Sequence, residues 1–257
     1  MHEARIISLV PSLTHTLVEM GMVDSIVGCT HFCVHPYKEL KDKTRVGGTK
    51  DPDLNLIRGL EPTHILLNKE ENRKEDFQIL NDEFSVLVTH PQELEDVFVM
   101  LKDLGEYLNN PQQSKVLIDQ LHSLASEIGK FEDAIKQSVY FIWKNPWMVA
   151  TQNTYIGSMM KRFGYELTVA DGFNLYPQVE ISKELFEGID SVFLSSEPWP
   201  FRKRDLNDLR SSIPEKVAVY RIDGMLTSWQ GAMTIKSLEQ FQKWKLGEKQ
   251  HLVSRWI

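Results

Sequence analysis

The chain has 257 residues, 42% of them hydrophobic, enough to bury a large core in one domain or two. Its formal net charge is −7, from 36 acidic against 29 basic side chains with no long basic run, so nucleic acid is not an expected partner. No stretch approaches the ~20 apolar residues of a membrane-spanning helix, and residues 1–14 lack the basic, apolar and small-residue regions of an export signal, which leaves open both a cytoplasmic chain and an exported, processed one.

Residues 5–10 read as a strand. Pro11-Ser12 breaks it, and Ser12 is placed to cap a helix running to residue 20 and stopped by Gly21. Residues 25–29 return as a strand. A long loop over 30–50 leads to a helix at 54–60, a buried strand at 64–67, a helix at 73–84, a strand at 86–89 and a helix at 93–108. Alternation of this kind argues for a parallel sheet with crossover helices. Asn110 then offers an N-cap and Pro111 a first helical residue. Val116, Leu117, Leu121, Leu124, Ala125 and Ile128 follow at helical spacing within about 25 helix-compatible residues. Such a helix would join two lobes as a stiff spine and permit only small closure.

The second half repeats the grammar. A strand at 139–143 precedes a helix at 155–163 that Gly164 stops. Then come a strand at 166–169, a long loop, a short helix at 183–187, strands at 191–194 and 217–222, and an amphipathic helix at 231–246. Leu56-Ile57-Arg58-Gly59-Leu60 has a counterpart in Leu185-Phe186-Glu187-Gly188-Ile189. Each leads into an apolar strand, a glutamate-bearing loop (Glu70-Glu71; Glu197) and a charged helix start. The fold class expected is α/β: two lobes, each with a central, mainly parallel sheet flanked by helices, joined by one long α-helix. The boundaries are an N-terminal lobe over 1–108, a linking helix over 109–137 and a C-terminal lobe over 138–257.

Ligands in parallel α/β sheets bind beyond the carboxyl ends of the strands, which in two facing lobes would line an inter-lobe cleft. The loops at those ends carry Phe32, Tyr37, Trp147, Phe173, Tyr176, Trp199, Phe201 and Trp229, rings suited to a large flat ligand. Others of these rings would serve only to plug the lobe cores. Ligand contact is assigned to Ser12, Phe32, Thr49, Lys50, Trp147, Tyr176, Trp199 and Trp229. The run Cys29-x-His31-x-Cys33-x-His35 has the donor types of a soft-metal site. Four ligands along one extended strand lie too far apart for one ion unless the chain turns, so no metal site is assigned and the four stay candidates. No G-x-S-x-G elbow, phosphate-cradling glycine loop or H-E-x-x-H motif is present, and the chain is not expected to be an enzyme. Glu70, Glu71 and Glu197, on loop tips, suit docking onto basic residues of a membrane partner.

The blocks RIISLVPSLTHTLVEMG, TRVGGTKDPDL, NKEENRKED, IWKNPWM, YPQVEISKEL, SSEPWPF and SWQG run along nearly the whole chain. In these blocks the chain resembles the helical-backbone metal-receptor (class III) substrate-binding proteins of ABC importers, whose ligands include vitamin B12, ferric siderophores and haem. The resemblance implies two α/β lobes joined by one long helix. It implies a metal-chelate ligand, cobalamin-like first, with a ferric siderophore or haem as the alternative, and an ABC permease as partner. It also implies a periplasmic or cell-envelope location, a monomer, and no cofactor of its own. A cytoplasmic metal- or corrinoid-handling protein without a transporter is the remaining alternative. By motif, Phe32 and Tyr176 stand where vitamin B12-binding members carry cleft aromatics, and Glu184 where they carry a docking glutamate. Thr49, Asn55 and His15 are departures, standing in place of a cleft tryptophan, a docking glutamate and a frequent glutamate.

Overall fold

Alternating apolar strands and amphipathic helices build two sheets in a computed structural model that describes residues 4–128, 135–169, 172, 174–247 and 253–255. The chain divides into two compact units. Unit one comprises the described residues of Met1–Pro91, Glu95–Ser123 and Trp229–Ile235; unit two those of Gln92–Leu94, Leu124–Ser228 and Lys236–Ile257.

In unit one the order is β1 (Ile6–Ser8), α1 (Pro11–Glu19), β2 (Ile26–Cys29), α2 (Tyr37–Leu40), β3 (Thr44–Arg45), α3 (Leu54–Gly59), β4 (His64–Asn68), α4 (Lys74–Glu83), β5 (Val86–Thr89) and α5 (Leu94–Tyr107). The five strands form one sheet in the order β3-β2-β1-β4-β5, and every pairing is parallel. All carboxyl ends therefore share one edge. Strands buried on both faces of such a sheet read as continuous apolar runs, as Ile65-Leu66-Leu67 of β4 does. Ile7, Leu9, Val46, Ile57, Ile65, Leu67 and Leu80 close one core cluster. Each such side chain taken fully out of water stabilises the fold by roughly 1.5–3 kcal/mol.

Helix starts show local chemistry at work. Asp53 caps α3, its carboxylate accepting from the N–H groups of Asn55 (3.1 Å) and Leu56 (3.0 Å). α1 is a correction to the sequence reading: Ser12 does not cap it. Val10 holds the N-cap position without a side-chain bond and Pro11 is the first helical residue, where its missing N–H costs nothing. Ser12 is thereby carried inside the first turn and buried.

α6 (Pro111–Ile128) starts at the expected proline. Its Pro111–Ser123 portion belongs to unit one and its remainder to unit two. The expected linking helix extends over residues 129–134, which lie outside the described residues.

Unit two continues with β6 (Lys136–Trp143), β7 (Met148–Ala150), α7 (Tyr155–Arg162), β8 (Tyr165–Leu167), β9 (Ser191–Ser195), α8 (Lys203–Arg210), β10 (Ala218–Ile222), α9 (Gly224–Ser228), α10 (Ala232–Lys245), whose first residues up to Ile235 belong to unit one, and β11 (Val253–Arg255). Its sheet runs β11-β10-β9-β6-β7, with β8 also on β6. The pairings β6–β8, β6–β9 and β9–β10 are parallel, while β7 and β11 pair antiparallel. The repeat noticed in the letters has a structural counterpart: β4 lies between β1 and β5 as β9 lies between β6 and β10. Before β9 the expected helix is a single 3-10 turn, Glu184–Phe186.

Candidate functional site

At the carboxyl edge of the unit-one sheet, three segments far apart in sequence meet. They are α1, the loop after β2, and residues 229–231. The third was expected in the C-terminal lobe, yet Trp229–Ile235 packs within unit one. It is fastened there by its backbone. Thr16 Oγ1 donates to the Ser12 carbonyl (2.9 Å) and accepts from the Ala232 N–H (3.1 Å). Gly231 has φ +92°, and a Cβ at that position would collide with Thr16 Oγ1, so both conformation and space require glycine. Asn68 Nδ2 bonds Thr89 Oγ1 (3.3 Å) and Gln230 Oε1 (3.5 Å), and Gln230 Nε2 reaches the Pro91 carbonyl (3.5 Å).

This anchoring fixes Trp229, only 9% exposed, between two imidazoles. The His15 ring lies edge-on with its centroid 6.1 Å away, and that of His35 edge-on at 6.2 Å. His35 sits in the loop after β2, beside the exposed Phe32 (60%) and Tyr37 (66%). The His31 N–H holds that loop to the Gly47 carbonyl (2.9 Å), and the ring of Phe32 comes to rest beside Gly48. The loop carrying Thr49 and Lys50 is tied to the loop after β4. Asn72 Nδ2 donates to the carbonyls of Leu9 (3.1 Å) and Thr49 (3.0 Å), and Lys50 Nζ donates to the Glu70 carbonyl (2.7 Å). Ser12 Oγ is a buried hydroxyl with no hydrogen-bond partner among the described residues. Ser12, Phe32, Thr49, Lys50 and Trp229 thus belong to one connected region, together with His15 and His35. What it presents is the exposed ring of Phe32 and the exposed imidazole of His35, while His15 Nε2 lies 3.7 Å from the Glu19 carboxylate; ring and imidazole are a chemistry for holding a flat aromatic or metal-bearing body.

The candidates of unit two stand differently. Trp147 stacks on Phe201 (centroids 5.9 Å, 10°), meets Phe141 edge-on and has Lys144 Nζ over its ring at 5.4 Å. Trp199 meets Trp143 edge-on at 5.4 Å. Both pack, partly buried, against the core cluster of that unit. Tyr176, also half-buried, lies on a segment bonded along β7, where the N–H groups of Val149 and Thr151 reach the carbonyls of Pro177 and Leu175. Phe173 lies outside the described residues.

The four metal candidates do not gather. The chain turns at Thr30, with the Cys33 N–H bonding the Thr30 carbonyl (3.2 Å). That turn leaves Cys29 and Cys33 fully buried, His31 and His35 exposed. No group of three or more metal-binding side chains occurs among the described residues. The thiols instead form a polar pocket. Arg45 Nη1 donates to Cys29 Sγ (3.0 Å) and to the carbonyls of Thr30 (3.0 Å) and Cys33 (2.8 Å), and Cys33 Sγ lies 3.1 Å from the hydroxyls of both Thr14 and Thr30. Burial would raise the Cys33 thiol, but hydrogen bonds from Cys29, Thr14 and Thr30 outweigh it and draw it down to about 7. Cys29, hydrogen-bonded to Cys33 and buried, is pushed far up and keeps its proton.

Of the docking carboxylates, Glu184 is exposed, and the Ser182 hydroxyl holds it below the usual range. Glu70 is not a freely solvated tip, because His90 Nε2 lies 3.5 Å from its carboxylate. The N–H groups of Glu70 and Glu71 both bond Asn68 Oδ1, and Glu197 accepts from Ser228 Oγ (3.5 Å). Asn55 is exposed and accepts from Arg58 (3.2 Å). His15 and His35 as partners of Trp229, and the network of Asn68, Asn72 and Gln230, were not assigned to the ligand from sequence. Their signal is long-range: each joins segments that no local pattern connects.

A profile described as a periplasmic binding protein matches residues 6–212. The vitamin B12-binding protein of Pectobacterium carotovorum subsp. carotovorum is 22% identical over 199 residues, covering 76% of this chain and 72% of that protein. The high-affinity heme uptake system protein IsdE of Staphylococcus aureus is 28% identical over 173 residues, covering 64% of this chain and 57% of that protein. Among solved structures, the periplasmic vitamin B12 binding protein BtuF of Vibrio cholerae superposes with a TM-score of 0.78 at 20% identity, covering 96% of this chain and 99% of that one. At that identity the likeness shows the fold.

Proposed function

We propose, because this chain belongs to the periplasmic binding protein family, that it captures a metal chelate of the tetrapyrrole type, cobalamin-like, and delivers it to an ABC permease. It is a substrate-binding protein of the kind that serves uptake of vitamin B12, haem and siderophores. One observation carries the ligand class: Trp229 held rigidly between the imidazoles of His15 and His35 at the carboxyl edge of the unit-one sheet, with Phe32 exposed on the adjoining loop. An aromatic body offers area at low entropic cost, and a ring fixed by Gly231 and Gln230 needs no ordering when the ligand arrives. Haem is the second reading. It is favoured by the exposed imidazole of His35, since imidazole is a common axial ligand of haem iron.

We assign the exposed Glu184 to permease docking, and place the protein on the side of the membrane from which such a permease loads. No helix among the described residues is long and apolar enough to cross a membrane. Visible-absorption titrations with hydroxocobalamin and with haemin test the reading. A saturable shift in the bands of one chelate at stoichiometric protein is the expected result. Spectra that stay the sum of the free components for both would overturn it.

A further inference from the structure

A cysteine kept only for packing behaves as a small hydrophobe and sits among apolar groups. Cys29 and Cys33 do not. A guanidinium, two threonine hydroxyls and the sulfurs themselves converge in a pocket otherwise closed to solvent. The turn at Thr30 folds the chain back so that Arg45 Nη1 bonds both Cys29 Sγ (3.0 Å) and the Cys33 carbonyl (2.8 Å), which sets the two cysteines in one pocket. Closing the pair brings the two sulfurs to the ~2.05 Å of a disulfide. Above the pocket lies the loop bearing the exposed His31, Phe32, Val34, His35 and Tyr37. Cys33 itself is fully buried beneath those exposed residues, so a reagent must displace the loop to reach it.

We propose that Cys29 and Cys33 form a reversible redox-active dithiol, a modification site that closes to an intramolecular disulfide at the base of the 31–37 loop. The electron acceptor is a low-molecular-weight disulfide such as oxidised glutathione. The Cys33 thiolate attacks one of its sulfurs and expels a thiolate, leaving a mixed disulfide. Cys29 surrenders its proton and attacks the Cys33 sulfur, expelling the second thiolate. The protein dithiol loses two hydrogens, and the small disulfide becomes two thiols. Arg45 and the hydroxyls of Thr14 and Thr30 act as positioning groups, supporting charge on sulfur during both steps.

The dithiol chemistry needs no bound ligand, and its test uses none. The folded, reduced full-length chain is incubated with oxidised glutathione and quenched with acid. It is then alkylated in denaturant and weighed intact. The expected product has lost both reactive thiols, has a mass lower by two hydrogens, carries no glutathione, and returns to the dithiol with dithiothreitol. Cys33→Ser should form no internal bond, and Arg45→Gln should slow closure by on the order of tenfold. Two free thiols after prolonged exposure, a glutathione adduct that never resolves, or a chain linked to a second copy would each overturn the proposal. Because the wild-type chain alone decides this, a variant that fails to fold leaves the test intact.

Discussion

At the scale of single residues, Gly231 is the position where conformation and space both bear on the candidate site. Its φ of +92° and its approach to Thr16 Oγ1 leave no room for a side chain. Gly231→Ala is expected to lower stability by about 1–3 kcal/mol, read as a lower urea midpoint with an unchanged slope. The buried pair of Lys144 and Asp205, 2.8 Å apart, carries a pH signature. Burial opposes the Asp205 charge, but Lys144 and the Arg202 N–H (2.8 Å) outweigh it and hold the carboxyl below its ordinary value. A carboxyl with a folded pKa below its unfolded one contributes stability that is present above the unfolded value. That stability is lost as pH falls through the folded value. Asp205→Asn should therefore cost about 1–2 kcal/mol at neutral pH, discounted because Lys144 keeps Asp208 at 2.6 Å. The gap from wild type should close as pH falls below about 3.9, the ordinary aspartate pKa. Urea melts of both chains across that range check it, and a gap that widens on acidification would contradict the assignment.

At the scale of elements, capping chemistry is the most local determinant. Asp53→Ala removes both bonds at the start of α3 and should cost about 0.5–2 kcal/mol, whereas Asp53→Asn should keep most of it. Thermal melts of the two variants separate the cap from the charge. The long periodic elements were legible in sequence: α4, α5 and α10 fall within a residue or two of the ends that Arg73, Glu93 and Gly231 suggested. The short ones were not. β3 is two residues, Thr44–Arg45, with neither apolar run nor alternation. β7 and β11 are three residues each, too short for a period. The candidate region was legible as rings on loops that follow strands, Phe32 and Trp229 among them. Its organisation was not, because Trp229 meets His15 and His35 through a chain crossing that only tertiary packing specifies. The cysteine–histidine run was legible as donor types, and one turn at Thr30 sorted them inward and outward.

At the scale of the whole molecule, the fold is two units of mostly parallel sheet with flanking helices, the arrangement of the family to which the chain belongs. The same strand order around β4 and around β9 shows why the sequence repeats itself: each unit is the same solution to burying a parallel sheet. Such a fold supports many ligands, so the identity of the cargo rests on side chains at the strand ends and not on architecture. The measurement that bears most directly on that claim is isothermal titration of hydroxocobalamin and haemin into the wild-type chain and into Trp229→Phe. One chelate is expected to bind wild type at one per chain with a dissociation constant of about 1 μM or tighter, and the variant to bind it about tenfold more weakly, a loss of ~1.4 kcal/mol. Equal affinity in the two proteins, or heat of dilution alone with both chelates, would contradict it.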